Sequence, residues 1–351
     1  MSVFKKKSSK KTEQEKVEER REEVLSQGRK FKYPLQWTRH RIVINTILIA
    51  LVVSALILIG GWLALYRLGM TDDLLFRITE IIPVPVANVD GEEARFSDYL
   101  MFYRSSITSI ERQSGSEFDE ESAKELRTEY KLSALSEAEK YTFALKLAKE
   151  QGITVTPEEV STEFDRHLKI GGIDRSEDSF LKIINDNFGL DRSEYERMLY
   201  LSLVKTKVEI AIDESANQIA NKVEQILSSS DHDYAKVAEE LGDKIIYEET
   251  GGLVDSKNID GGRATEAMKL EPGQSSGKFI SMNGDGYYFV KLVKKTDTEV
   301  NFVSIKVPFT EFDRRFDALK TDGKITEYID ITNPEESKTS DWASNSTNQF
   351  Q

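Results

Sequence analysis

The chain has 351 residues, 39% of them hydrophobic, and a formal net charge of −13. That length allows two or three modules, and that composition can fill a core in at least one of them, which excludes disorder throughout. There is no cysteine, and His40, His167 and His232 stand far apart. Disulfides, thiolate chemistry, cysteine zinc sites and serine-histidine hydrolysis are therefore excluded, and neither a metal nor a cofactor is expected.

Lys5 to Lys11 form a basic cluster, and Lys10 to Lys30 is rich in charges of both signs. Thr12 and Glu15 have capping-box spacing, which permits a solvated helix; the competing reading is a disordered tail drawn to anionic lipid, with a ribosome or translocon contact less favoured. Residues 42–66, IVINTILIALVVSALILIGGWLALY, carry no charge. A bilayer core needs roughly 20 apolar residues, so this run predicts a membrane span. It is too long for the apolar region of a cleaved signal peptide and is read as an uncleaved signal anchor. Trp37, Trp62 and Tyr66 fall near its ends, where amphipathic rings favour the headgroup zone.

Arg29, Lys30, Lys32, Arg39 and Arg41 crowd the N-terminal flank, whereas Arg67 stands alone on the other side before Asp72 and Asp73. The positive-inside rule then makes residues 1–41 cytoplasmic and predicts a single-pass cell-membrane protein with its remaining domains extracytoplasmic. Net charge is roughly +7 before residue 42 and roughly −20 after it. An acidic exported part repels nucleic acid and favours a soluble domain standing off the membrane.

After the span, the prolines in IIPVPVANV break any helix, and VANV-DG-EEARF predicts a hairpin, because Asp-Gly suits a tight turn. Apolar residues then recur at helical spacing from Ser97 and again from about Asp119 to Gln151, stopping at Gly152. Thr156, Pro157 and Glu159 punctuate a further helix start, a short helix near Glu177 to Phe188 ends at Gly189, and Asp191 with Glu194 caps another. Residues 84–208 thus predict a helical domain, whose uncovered apolar stripe could form a groove for a client chain.

From Val208 the pattern changes. IAID predicts a short strand, 216–227 and 234–241 predict helices, and 245–247 is β-prone. Ala264 to Leu270 predicts a helix, and KFISM and YYFVKLVKK, separated by NGDG, predict a hairpin. NFVSIKV then predicts a strand, TEFDRRFDALK a helix and KITEYIDI a strand, before a polar tail at 333–351 expected to be disordered.

This order resembles the SurA-like and parvulin-type extracytoplasmic foldases of bacteria. VANVDGEEARFSDYL is similar to the opening of their chaperone domain, and ALKLAKEQGITVTPEEVSTEF with FGLDRSEYERMLYLSLVKTKV to its helical body. In 209–296, DYAKVAEELGD, the Gly251-Gly252 turn, ATEAMKLEPGQSSGKF and GDGYYFVKL resemble a parvulin module. The expected fold class is α+β: one N-terminal transmembrane helix, a mainly helical SurA-like chaperone domain, and a small parvulin-like α+β domain. Residues 297–332 have three readings: a truncated repeat, a closing segment on the helical domain, or an edge strand of the preceding sheet.

The resemblance implies a pair of histidines on neighbouring central strands of an active prolyl isomerase. Here the second position is Tyr288, and the expected first strand, KVEIAID, offers Glu209 and no histidine. The candidate catalytic residues are Tyr288, Met268 and Glu209, and the candidate substrate-binding residues are Met268, Phe289 and Tyr288. The YYFVKL strand is read as structural in preference to catalytic. The leading expectation is a membrane-anchored foldase or chaperone that binds unfolded or nascent exported polypeptides, holds the lipid bilayer through residues 42–66 and works beside the secretion channel. The alternatives are an active peptidyl-prolyl isomerase and a non-catalytic envelope scaffold.

Overall fold

The computed structural model describes residues 12–114, 120–170 and 173–331; the Lys5–Lys11 cluster and the tail 333–351 lie outside them. The chain divides into two units, 1–68 and 69–351.

In the first unit, α1 (Glu13–Trp62) continues into a π-helical turn at Leu63–Arg67. The Thr12 backbone N–H donates to Glu15 Oε2 at 3.1 Å, which fixes the helix start. The charged tail and the apolar run, expected as separate segments, form one helix, which runs through Gly28 and Pro34. Its part from His40 to Arg67 is long and apolar enough to cross a membrane. At a rise of 1.5 Å per residue those 28 residues reach about 42 Å.

The second unit begins with α2 (Asp73–Ile81), where the Asp72 side chain accepts from the Leu75 N–H. A hairpin of β1 (Pro85–Val89) and β2 (Glu92–Arg95) follows, turning at Asp90 and Gly91, both at positive φ. Then come α3 (Phe96–Ser114), α4 (Glu120–Gln151), α5 (Pro157–Leu168), α6 (Glu177–Phe188) and α7 (Arg192–Ile212). Thr156 and Asp191 cap α5 and α7 with reciprocal bonds to Glu159 and Glu194, and Gly189 ends α6 at φ 65°.

The strand expected at IAID is the last turn of α7. Val204, Val208 and Ile212 extend one helical stripe and pack on Phe143, Ala144 and Leu147 of α4, so tertiary burial overrides the β-branched composition.

Next are α8 (Glu214–Ser229), α9 (Tyr234–Leu241), β3 (Ile246–Glu249), β4 (Val254–Asp255), α10 (Arg263–Met268), β5 (Phe279–Ile280), β6 (Gly286–Lys295) and β7 (Glu299–Pro308). Among the described residues these strands form a sheet in the order β3-β7-β6-β5, with β4 also on β7. NFVSIKV is thus neither an edge strand nor a truncated repeat. It fills the interior of the sheet, pairing with β6 through Phe289↔Ile305 and with β3 through Tyr247↔Ile305. KVEIAID, expected in such a place, is helical. One sheet face buries Tyr287, Phe289, Ile305 and Val307 against α8 and α9; the other buries Val290, Leu292, Val300 and Phe302 against α10.

The rest of the segment expected as 297–332 returns to the helical body. In α11 (Glu311–Thr321), Phe312 and Phe316 enter the α4–α7 core. The strand expected over KITEYIDI shortens to β8 (Ile325–Glu327), which adds to β1 through Ala87↔Glu327. The last residues of α7 thus pack in the helical body, and β7 pairs within the sheet.

Candidate functional site

Alternation along β6 divides the four sequence candidates. Tyr288 and Met268 belong to the α10 side of the sheet, whereas Phe289 is sealed on the opposite side against α8 and α9. Phe289 is therefore a core residue and cannot share a pocket with Tyr288. Glu209 lies on α7, not on a strand; Lys205 Nζ donates to its Oε1 at 2.5 Å, and its buried Oε2 has no hydrogen-bond partner among the described residues. Burial pushes its carboxyl above the usual range, against the pull of Lys205.

Tyr288 is 5% exposed. Its hydroxyl donates to Asp285 Oδ2 at 3.3 Å, and Lys306, paired with Tyr288 across β6 and β7, donates to the same oxygen at 2.5 Å. Ser281 donates to Asp285 Oδ1. Arg263 lies 5.6 Å from the Tyr288 ring centroid, ion-pairs with Glu248 and reaches Ser304 Oγ at 3.4 Å. Phe279 closes the remaining side, its ring 6.0 Å away. Burial raises the Tyr288 phenol, and the Asp285 charge adds to this, so it stays protonated at neutral pH. Burial opposes ionisation of Asp285, but Lys306 and Ser281 outweigh it and hold its carboxyl low.

Where the resemblance implies two histidines, the central strands thus present Tyr288 on β6 and Ser304 and Lys306 on β7, tied into a charge network with Asp285 and Arg263. Sequence reasoning missed Ser304, Lys306 and Asp285 because it assigned the neighbouring strand to KVEIAID. The NFVSIKV alternation, which puts Phe302, Ser304 and Lys306 on one side, was the signal available.

An accessible groove lies elsewhere. Two adjoining clefts of about 230 and 330 Å³ share Arg166, Ile280 and Met282. The helical body supplies Ile170 and Lys169 after α5 and Leu199, Leu203 and Thr206 of α7. The sheet module supplies Phe279 and Ile280 of the edge strand β5, with Thr265, Glu266 and Lys269 of α10. None of the four sequence candidates lines either cleft. The lining is mixed: Ile170, Leu199, Leu203, Phe279 and Ile280 stand beside His167, Ser202, Thr206 and Ser281, and Met282 adds an adaptable side chain. The rim mixes charges that pair locally: Arg166 with Glu163, and Lys269 with Glu266.

Beside the groove, His167 Nδ1 lies 2.5 Å from the Tyr195 hydroxyl and Nε2 lies 3.1 Å from Glu163 Oε1. Burial alone would raise the Glu163 carboxyl, yet His167 and Arg166 bring it down to about 2. Burial pushes the Tyr195 phenol up to about 12. This relay ties α5 to α7 and fixes one groove wall. No cluster of three or more histidine, aspartate or glutamate residues able to hold a metal occurs among the described residues.

The module positions are held by tight joins. Gly284 is at φ +69°, and a Cβ there would fall 2.3 Å from Thr206 Oγ1 of α7. Asp213 is 1% exposed: its Oδ1 accepts from the Ala216 N–H at 2.8 Å, and its Oδ2 accepts from the N–H groups of Thr310 and Glu311 at 2.8 and 3.1 Å. One carboxylate therefore anchors the starts of both α8 and α11, where the chain enters and leaves the sheet module.

Residues 35–209 match the family model described as the SurA-like N-terminal domain. The match supports a SurA-like, chaperone-type reading of the helical body and ends before α8 begins. No curated protein matches the chain.

Proposed function

We propose that this chain, with its SurA-like N-terminal domain over residues 35–209, is a membrane-anchored extracytoplasmic chaperone that holds unfolded exported polypeptides in the groove between α5, α7 and β5. The observation that carries the reading is that groove: Ile170, Leu199, Leu203, Phe279, Ile280 and Met282 in its lining, interleaved with polar and charged side chains, beside the edge of a sheet. Such a surface selects apolar character and extended backbone and not a particular sequence. The His40–Arg67 segment is the anchor. The charge asymmetry across it supports a cytoplasmic N-terminus, and tethering beside the secretion channel would raise the local client concentration.

The parvulin-like sheet acts as a wall of the groove. Prolyl rotation needs an apolar pocket for the ring with polar groups that favour the twisted amide, against a barrier of about 18–20 kcal/mol. The Tyr288 region is instead filled by Phe279, Arg263 and the Asp285–Lys306 pair.

The test uses the full chain in nanodiscs, an aggregation-prone unfolded client, and a proline peptide followed by exchange NMR. Ile280→Asp with Met282→Asp is expected to lose most protection of the client at unchanged helicity, while Tyr288→Phe protects as wild type does and neither protein accelerates isomerisation. Undiminished protection by the groove variant would remove the groove from the function. Acceleration lost in Tyr288→Phe would restore the isomerase reading.

A further inference from the structure

The first element of the second unit carries an apolar face that the groove does not use. Leu74, Ile78 and Ile81 stand at i, i+4 and i+7 of α2 and are 70%, 41% and 83% exposed; Ile82 just beyond is also exposed. Three or four large aliphatic side chains on one stripe form a patch, not scattered surface residues.

The direction of that patch is fixed. The opposite side of α2 buries Phe76 and Thr79, with the Arg104 guanidinium 4.3 Å from the Phe76 ring centroid. On the flank, Arg77 pairs with Glu194 at 3.3 Å and Asp191 at 3.2 Å. The helix cannot roll to hide its stripe without breaking these contacts.

What lies within reach is set by the chain. The apolar span ends at Arg67 and α2 begins at Asp73. The five residues between them make six Cα–Cα steps, at most about 22 Å even fully extended. Leu68 and Met70 in that connection are themselves exposed.

We propose that the exposed face of α2 rests in the interfacial layer of the bilayer leaflet at which the span ends. The helical body is then held to the membrane at two points. This rests on the anchor reading above. The residues beside the stripe, Asp73, Arg77 and Glu80, are mixed in sign, with the arginine already paired. Contact therefore comes from aliphatic insertion and not from attraction to anionic lipid, and it is insensitive to the anionic fraction.

The chain lacks cysteine, so single spin labels can be placed cleanly in the full-length protein in phosphatidylcholine nanodiscs. The labelled variants are Ile81→Cys in α2, Ile57→Cys in the span and Lys182→Cys on α6, all at exposed positions. The readout is the ratio of collisions with oxygen to collisions with an aqueous nickel chelate. The expected result is a ratio at position 81 several-fold above that at 182 and below that at 57, unchanged when a third of the lipid is phosphatidylglycerol. A ratio at 81 equal to that at 182, with 57 membrane-buried, would overturn the lipid contact while leaving the anchor intact. An aqueous label at 57 would overturn both. Dipolar broadening at 81, with shielding from both reagents, would assign the stripe to a second copy of the chain and overturn the proposal.

Discussion

Glu139 on α4 offers the sharpest test of the energetics. Its side chain is 1% exposed, its Oε2 lies 3.7 Å from Lys320 Nζ on α11, and its Oε1 has no hydrogen-bond partner among the described residues. Burial, helped by the facing Glu327 of β8 and opposed by Lys320, pushes its carboxyl from an ordinary 4.5 up to about 7. An acid whose folded pKa is raised destabilises the fold as pH climbs above its unfolded value, and the full cost is reached above the folded value. Each pKa unit is about 1.4 kcal/mol, so the ceiling is about 3 kcal/mol at pH 8, falling towards nothing by pH 4.5. Glu139→Gln removes the charge and keeps the shape. In urea titrations followed by circular dichroism, the variant is expected to exceed wild type by about 1–3 kcal/mol at pH 8 and to match it at pH 4.5. A variant that is less stable at pH 8, or a difference independent of pH, would refute the reasoning. It would mean that the Lys320 attraction outweighs the cost of burial.

Three further outcomes can be checked by the same titrations. Gly284→Ala puts a Cβ against Thr206 in a left-handed backbone and is expected to cost about 1–3 kcal/mol, partly recovered with Thr206→Ala; no loss would contradict the close approach of the turn to α7. Asp213→Ala strips acceptors from two helix starts and is expected to cost about 2–4 kcal/mol, with Asp213→Asn losing less; a loss confined to α8 would contradict the shared anchor. Glu163, held down to about 2 in the fold, contributes stability that is present above its unfolded value near 4.5 and lost as pH falls towards 2; Glu163→Gln is expected to flatten that acid limb, and an unchanged limb would count against the relay with His167.

Local signals were legible. The capping boxes at Thr156 and Asp191, the Gly189 stop and the Asp90-Gly91 turn depend on residues within four positions of one another, and each lies where its chemistry puts it. Strand order was not, because the alternation in NFVSIKV states which residues share a face and says nothing of the neighbour. The same alternation in YYFVKL already separated Phe289 from Tyr288, so grouping them in one pocket conflicted with the pattern itself. The groove escaped because no single stretch contains it. Leu199 and Leu203 read as helix stripe and Ile280 as strand, and the close approach of Gly284 to Thr206 helps bring them together.

The pairing of β8 with β1 bears on timing. The Tyr328 hydroxyl donates to Glu93, 235 residues earlier, and Phe312 and Phe316 complete a core begun by Phe143. Contacts of such sequence separation form late, since a long loop must close before they are rewarded. The first hairpin and α4 therefore wait for α11 and β8, and the helical body cannot reach its finished core until residues 311–328 have been synthesised.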